Sequence, residues 1–384
     1  MKRRAFLKVA GLSLLAVAGG VVYRAGDQGV FHTGQGQAYK PWQDWDSRDG
    51  GGVLSLVRAA VLAASPHNTQ PWLFRLAAST VDLHADPGRN LGTVDRFRRE
   101  MYLGLGCALE NLALAASARG WQPDIQCVPD PGDRTWAARI ALTPGKASPS
   151  LLYPAIPHRC TNRAAYAASD LPAGVYDAMQ RLIGADERVR LVWLRGKQAS
   201  RFGELTYAAT EAFGADAAQS ADSGRWFRHD WDDIQARCDG LTLDAQASPP
   251  LLTTLGKLLP PLSDEQNHQY WLRATRAQMT HSAAFGILAV PDASDHTSHL
   301  QAGRVYQRFH LWAVTQGLAM HPVNQIVERA EREASQEQSS MFGDGLAELV
   351  ADASWQGVLL FRIGYPTVEA LPSPRRAAER VILP

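Results

Sequence analysis

Residues 99–119 constrain this chain more than any other stretch. Met101, Leu103, Leu105, Leu109, Leu112 and Leu114 recur at helical spacing, and alanines and glycines fill most positions between them. Apolar residues therefore run nearly all round a helix of about six turns, and such a helix must be buried on more than one side. Gly120 ends it, supplying the left-handed backbone that a helix C-terminus favours. Two architectures meet this demand: one core wrapped round a central helix, or two packed halves with the helix between them. The length of 384 residues suits either. With 46% hydrophobic residues, 20% charged residues and a net charge of +1, the chain has ample core. It gives no electrostatic case for nucleic acid or an acidic membrane.

Residues 64–72 read Ala-Ser-Pro-His-Asn-Thr-Gln-Pro-Trp, between an apolar helical run at 53–63 and a short strand at 72–76. A helix must stop ahead of Pro66, because the residue before a proline is driven out of the α region. The loop that follows offers Ser65, Asn68, Thr69 and Gln70, with Trp72 packed behind. These groups suit a ligand rich in ring nitrogens and carbonyls better than a metal; alone, they equally suit an ordinary polar turn. Residues 158–166 set Arg159 and Arg163 four apart, with Thr161 and Asn162 between them. Guanidinium forks match phosphate oxygens two points at a time, so the set reads as phosphate donors or, without context, as solvated arginines. Near the end, an apolar run at 355–363 reads as a buried strand. Gly364-Tyr365-Pro366 closes it, and Ser373-Pro374-Arg375-Arg376 follows.

Ser65, Asn68, Gln70, Pro71 and Trp72 resemble the flavin-contacting loop of the FMN-dependent nitroreductase family, although Ala64 and Pro66 depart from its usual residues. Arg159-x-Thr161-x-Arg163 with Tyr166 and a Pro-led helix at 173–183 is similar to that family's opening motif, which grips the FMN phosphate. Gly364-Tyr365-Pro366 and the basic pair after it resemble its C-terminal signature. The resemblance implies FMN as cofactor. Ser65, Asn68 and Gln70 would bond the ring system, and Arg159, Thr161, Arg163 and Arg376 the phosphate, with Ser373 and Arg375 beside them. Thr69 and Asn162 belong to the same set. Hydride would pass from a reduced donor such as NAD(P)H through the flavin to a nitroaromatic- or quinone-like acceptor, with no side chain acting as acid or base. The same residues would serve a protein that binds or sequesters flavin without turnover.

An ordinary member of that family opens with the arginine motif and then carries the Asn loop. Here the first half has the Asn loop with no arginine motif ahead of it. The second half has the arginine motif with no Asn loop after its first helix. In the family's homodimer one subunit grips the phosphate while its partner's Asn loop touches the ring, so two fused, degenerate copies would retain one complete site. The implied fold is α+β and nitroreductase-like, duplicated as a single-chain pseudo-dimer of the Acg-like branch and monomeric. Its first lobe would span 53–150 and its second 151–384. An internal echo agrees: apolar helices at 104–120 and 303–317 each carry a small residue early and a glycine stop. Further strands are expected at 80–85, 124–128, 139–143, 191–194 and 284–291, and helices at 197–213 and 270–283. The irregular stretch 216–265, with Trp226, Trp231 and two Pro-Pro pairs, reads equally as a lid over the ligand or as peripheral helices.

Lys2, Arg3 and Arg4, then Phe6-Leu7-Lys8 and an uncharged apolar run, have the layout of an export signal and resemble a twin-arginine signal. That resemblance implies the twin-arginine translocase as a partner and a periplasmic location. No clean Ala-x-Ala site follows, so a signal segment at 1–26 leaves open cleavage or an uncleaved membrane tether. Residues 27–52, rich in Gly, Gln and Asp, read as a linker whose Trp42 and Trp45 pack on the body. His296 and His299 lack a third ligand and read as a helix start, so no metal is expected. The four cysteines show no paired spacing, and no essential disulfide is expected. There is no nucleophile elbow, Walker loop or dinucleotide fingerprint, which disfavours hydrolase and Rossmann readings.

Overall fold

The computed structural model describes residues 20–48, 52–184, 187–260 and 262–384; the basic start and most of the apolar run of the expected export signal lie outside them. The strands are β1 (Trp72–Leu76), β2 (Thr80–Ala85), β3 (Trp121–Cys127), β4 (Trp136–Pro144), β5 (Arg190–Leu194), β6 (Phe227–Arg228), β7 (Leu241–Thr242), β8 (Ala284–Val290), β9 (Ala319–Pro322) and β10 (Gln356–Gly364). The main helices are α1 (Leu54–Ala60), α2 (Arg99–Ala118), α3 (Ala173–Ile183), α4 (Lys197–Ala215), α5 (Ala217–Gly224), α6 (Trp231–Arg237), α7 (Pro250–Leu258), α8 (Asp264–Thr280), α9 (His296–Thr315), α10 (Gln325–Ser335) and α11 (Met341–Val350).

Two four-stranded antiparallel sheets form, in the orders β1-β2-β4-β3 and β5-β8-β10-β9. Putting β5, β8, β9 and β10 in place of β1 to β4 turns one order into the other. The helices repeat as well. α1 and α3 lead into the first strand of each sheet, and α2 and α9 each join its second strand to its third. The chain is an α+β fold built twice.

The two copies meet along α2 and α9. A Cβ at Gly106 would lie 2.1 Å from the Leu300 carbonyl oxygen, and one at Gly303 would lie 2.1 Å from that of Leu103. Leu103 to Gly106 and Leu300 to Gly303 are the same three-residue step, so the helices exchange equivalent contacts about a pseudo-two-fold axis. Glycine is required at both positions because the two backbones touch there. α2 is buried from Arg99 to Ala116, between the first sheet and α9. It is long and apolar enough to cross a membrane, and its burial marks it as the core helix instead. Its all-round apolar surface is explained by a second copy of the fold lying against it.

β10 is paired on both sides and buried from Gly357 onward, which is why its sequence from there is apolar at every position but Arg362 rather than alternating. The stretch expected as a linker is folded onto the body. Ala38 and Tyr39 are buried against Ile234 and Cys238, and Trp42 Nε1 donates to the Ser373 carbonyl at 2.8 Å. Its aromatic residues supply apolar surface that its polar average conceals. Residues 216–265 form α5, α6, α7 and the short parallel pair β6–β7. β9, α10 and α11 had no sequence expectation; α10 and α11 pack on α4 and close a second, smaller core.

Candidate anion-binding site

The loop after α1 turns on three left-handed residues. His67, Asn68 and Gln70 have φ of 46°, 55° and 52°, a region that non-glycine residues enter at a cost on the order of 1 kcal/mol each. Surrounding contacts hold them there. Ser65 Oγ accepts the Gln70 N–H at 3.1 Å, and Asn68 Nδ2 donates to the carbonyls of Gly240 at 3.0 Å and Pro374 at 2.8 Å. Gln70 Nε2 donates to the Cys238 carbonyl at 2.8 Å. The loop is thus tied both to the segment that follows α6 and to the C-terminal stretch.

Residues 159–163 meet this loop from the second half. Arg362, the only charged residue of β10, fixes their backbone: its Nη2 donates to the carbonyls of Asn162 at 3.2 Å and Ala164 at 2.8 Å. Arg159 donates to the Leu62 carbonyl at 3.4 Å, and Arg163 to that of Ala245 at 3.0 Å. Arg375 donates to Asn68 Oδ1 and, at 3.1 Å, to the Ala63 carbonyl. Its guanidinium lies 5.1 Å from the centre of the Trp42 ring, close enough for a cation–π contact.

A cavity of about 20 Å³ lies among Trp42, Ser65, Asn68, Arg159, Thr161, Arg163, Ser373 and Arg375. The expected residues Thr69, Gln70, Asn162 and Arg376 do not line it. Gln70 Oε1 accepts the Arg376 N–H at 2.8 Å, and the Arg376 guanidinium donates to the carbonyls of Gln70 and Trp72. Arg376 therefore braces the loop, whereas the resemblance had given it the phosphate ahead of Arg375. Asn162 Nδ2 donates to the Val368 carbonyl at 2.7 Å, and Thr69 is fully buried with its hydroxyl unpaired.

Burial holds Arg159, Arg163 and Arg375 below the usual guanidinium range, Arg163 at about 10. The groups that bear on them are one another, Arg362, tyrosines and thiols, with no carboxylate among them. Nε of Arg159 and of Arg375 is buried without a partner. An unpaired buried charge costs several kcal/mol, so Arg159 and Arg375, buried around one cavity with half-buried Arg163 beside them, call for an anion. The hydroxyls of Ser65, Thr161 and Ser373 add neutral donors, a set that matches a phosphate. No carboxylate or histidine lines the cavity, and burial pushes the Cys160 thiol up. The site can grip and orient a ligand but holds no group poised for proton transfer.

Sequence reasoning missed the direct part of Trp42 and the support from Arg362; residues 238–245, which bond to the loop, fall inside the stretch 216–265 expected as a lid or as peripheral helices. Only Arg362 carried a signal, as a lone charge in an apolar strand, where an arginine is seldom buried without purpose. Together, fold and site define a pseudo-symmetric α+β protein with an arginine-lined cavity between its halves.

No protein-family model matches the chain. Over 125 residues it is 38% identical to "Putative NAD(P)H nitroreductase Rv3131" of Mycobacterium tuberculosis, covering 32% of this chain and 36% of that protein. Over 92 residues it is 35% identical to acg of the same organism, which carries the same designation, covering 24% of this chain and 28% of acg. The matches thus span about a third of the length of these relatives. Among solved structures, the FMN- and NADPH-dependent nitroreductase NfnB of Sphigopyxis sp. strain HMH overlays with a TM-score of 0.41 at 12% identity, covering 61% of this chain and 98% of that one. NfnB of Mycobacterium smegmatis, solved with NADPH, gives 0.37 at 15%, covering 60% and 91%. Both overlays are loose, and the architecture stands on the repeated topology of the chain itself.

Proposed function

We propose that this protein is an FMN-binding oxidoreductase of the nitroreductase kind. One observation carries the reading: three guanidiniums of the second half without carboxylate partners, Arg159 and Arg375 buried and Arg163 half-buried, converge on a loop of the first half that resembles a flavin-contacting loop. The designation of the partial relatives supports it. Arg159, Thr161, Arg163, Ser373 and Arg375 would hold the phosphate, and Ser65 and Asn68 would orient the ring system. Bound FMN would supply hydride transfer between a donor such as NAD(P)H and a nitroaromatic- or quinone-like acceptor. The cavity of about 20 Å³ has room for little more than a water, so the residues round it must move apart for a ring to seat. Gln70 and Arg376 would keep the loop in its left-handed course. The twin-arginine-like start supports export to the periplasm in folded form, where NAD(P)H is scarce and another donor would be needed.

A second reading, a flavin-binding protein without turnover, is favoured by one feature. Residues 238–245 bond to Asn68, Gln70 and Arg163 and so tie this segment to the loop and to one arginine of the cavity. The test is the visible spectrum of the purified protein, followed by anaerobic NADPH. A flavin spectrum that bleaches supports the reductase. A spectrum that dithionite bleaches and NADPH leaves intact supports storage or a different donor. Protein that stays colourless after incubation with FMN sinks both readings.

A further inference from the structure

Helix α7 carries Leu251, Leu252, Leu255 and Leu258, which at about 100° per residue share an arc of about 120°. On an ordinary surface helix such a stripe faces the core. Here it faces out: Leu251, Leu252 and Leu255 are 70%, 57% and 43% exposed, and Leu259 and Leu262 just beyond the helix are 58% and 49% exposed. The side towards the body is held by Lys257, which is buried, pairs with Asp244 Oδ2 at 2.7 Å and donates to Thr33 Oγ1 at 3.2 Å. Rolling the helix to bury its leucines would break that pair, so the inversion is built in.

Position adds a second observation. Arg24 Nε donates to the Leu258 carbonyl at 2.7 Å, which ties the end of α7 to the N-terminal segment. Val21, Val22 and Tyr23 beside it are 49%, 62% and 76% exposed. The sequence ahead of them is uncharged from Val9 to Gly20, and residues 1–8 hold Lys2, Arg3, Arg4 and Lys8 with no acidic residue.

We infer that the leucine face of α7, with Val21, Val22 and Tyr23, docks on the headgroup–acyl boundary of a lipid bilayer. Outward leucines beside Val21, Val22 and Tyr23, with an uncharged sequence and four cations ahead of them in the chain, are what an anionic bilayer surface takes up. The whole-chain charge of +1 supplies no general attraction, so attachment rests on this corner. A second copy of the chain is the weaker occupant, because these eight exposed residues are few beside the roughly 20–30 per side of a stable dimer. The inference does not depend on what the cavity binds.

The test is co-flotation of the full chain with phosphatidylglycerol–phosphatidylethanolamine vesicles, beside a triple variant, Leu251→Gln with Leu252→Gln and Leu255→Gln. Both proteins keep residues 1–23 and the Lys257–Asp244 pair, so their difference reports α7 alone. Wild type should float, and the variant's bound fraction should fall by roughly tenfold with an unchanged melting temperature. Leu255→Cys carrying an environment-sensitive dye should shift to the blue when vesicles are added, which decides the matter even if the triple variant folds poorly. Wild type that fails to float, or a variant that floats as well as wild type, overturns the inference. So does a dye already shifted before vesicles are added, which would mean that residues 1–19 cover the leucines. A vesicle-free change from dimer to monomer in the variant would assign the face to a second copy and overturn it too.

Discussion

Arg375 donates to Asn68 and lines the cavity, whereas Arg376 donates to the carbonyls of Gln70 and Trp72 and does not. This division sets separate expectations for neighbouring residues. On the proposed reading, Arg163→Ala or Arg375→Ala should weaken FMN binding by about 1.5–3 kcal/mol, roughly ten- to a hundredfold, since each would remove a charge-assisted contact to the phosphate. Riboflavin, which lacks the phosphate, should bind these variants almost as it binds wild type. Arg376→Ala should lower both affinities together by loosening the left-handed loop. Fluorescence titration with the two flavins separates these outcomes, and a selective loss of FMN in Arg376→Ala would return that residue to the phosphate. Unpaired cations also bear on stability. Arg163→Met should raise the melting temperature of the ligand-free protein while weakening FMN, because a half-buried charge without a counter-ion is replaced by an apolar chain of similar length. A lower melting temperature would mean that the single bond from Arg163 to Ala245 outweighs the desolvation cost.

Among the elements, α2 and α9 set the distance between the halves. At Gly106 or Gly303 an added methyl group would lie 2.1 Å from a facing carbonyl oxygen, with backbone rather than a yielding side chain on the other side. Gly106→Ala and Gly303→Ala should each cost about 1–3 kcal/mol in urea unfolding, in the range of other overpacked cores. The double variant should cost less than the sum, because one separation of the helices relieves both clashes. Strict additivity would mean that the positions do not share an axis. The sequence showed this arrangement only faintly. Two apolar helices with early small residues hint at a repeat, but which glycine meets which carbonyl depends on the register between segments nearly 200 residues apart.

For the whole molecule, a buried acidic group also spans the halves. Arg99 Nε pairs with Glu331 at 2.8 Å, and Asn324 Nδ2 donates to Glu100 at 2.8 Å, with Asp95 and Glu328 close by. Burial, with the charges of Glu331 and Glu100, pushes Asp95 up to about 7. Burial, with Glu100, pushes Glu328 well above the usual carboxyl range. A carboxyl raised in this way keeps its proton when folded and loses it when unfolded, so it subtracts stability as pH rises past its unfolded value of 4.5. Glu328→Gln removes that penalty. Its stability relative to wild type should grow by up to about 1.4 kcal/mol per pH unit from roughly pH 4.5 upward, and be flat below. His299 and His310, which are buried, and His67 and His321, which are half-buried, are depressed and act in the opposite sense in both proteins. The difference between variant and wild type is therefore the quantity to measure, by urea titration from pH 4 to 8. A pH-independent difference would deny Glu328 its raised affinity. With α2 covered in cis by α9, sedimentation should give a monomer of 41.9 kDa.

The sequence by itself determined what short-range chemistry decides. A helix apolar on all sides needs a partner on more than one face, a proline ends the helix before the Asn loop, and paired arginines with a threonine suit phosphate. Each of these rests on neighbours a few residues apart. Only the tertiary structure decided that Arg375 rather than Arg376 faces the cavity, that Arg362 supports the arginine loop from within β10, and that α7 turns its leucines outward. These outcomes depend on which distant groups fill the surrounding space: Trp42, Asn68, and the Asp244 that holds Lys257. An unpaired charge becomes visible only once every potential partner has been placed.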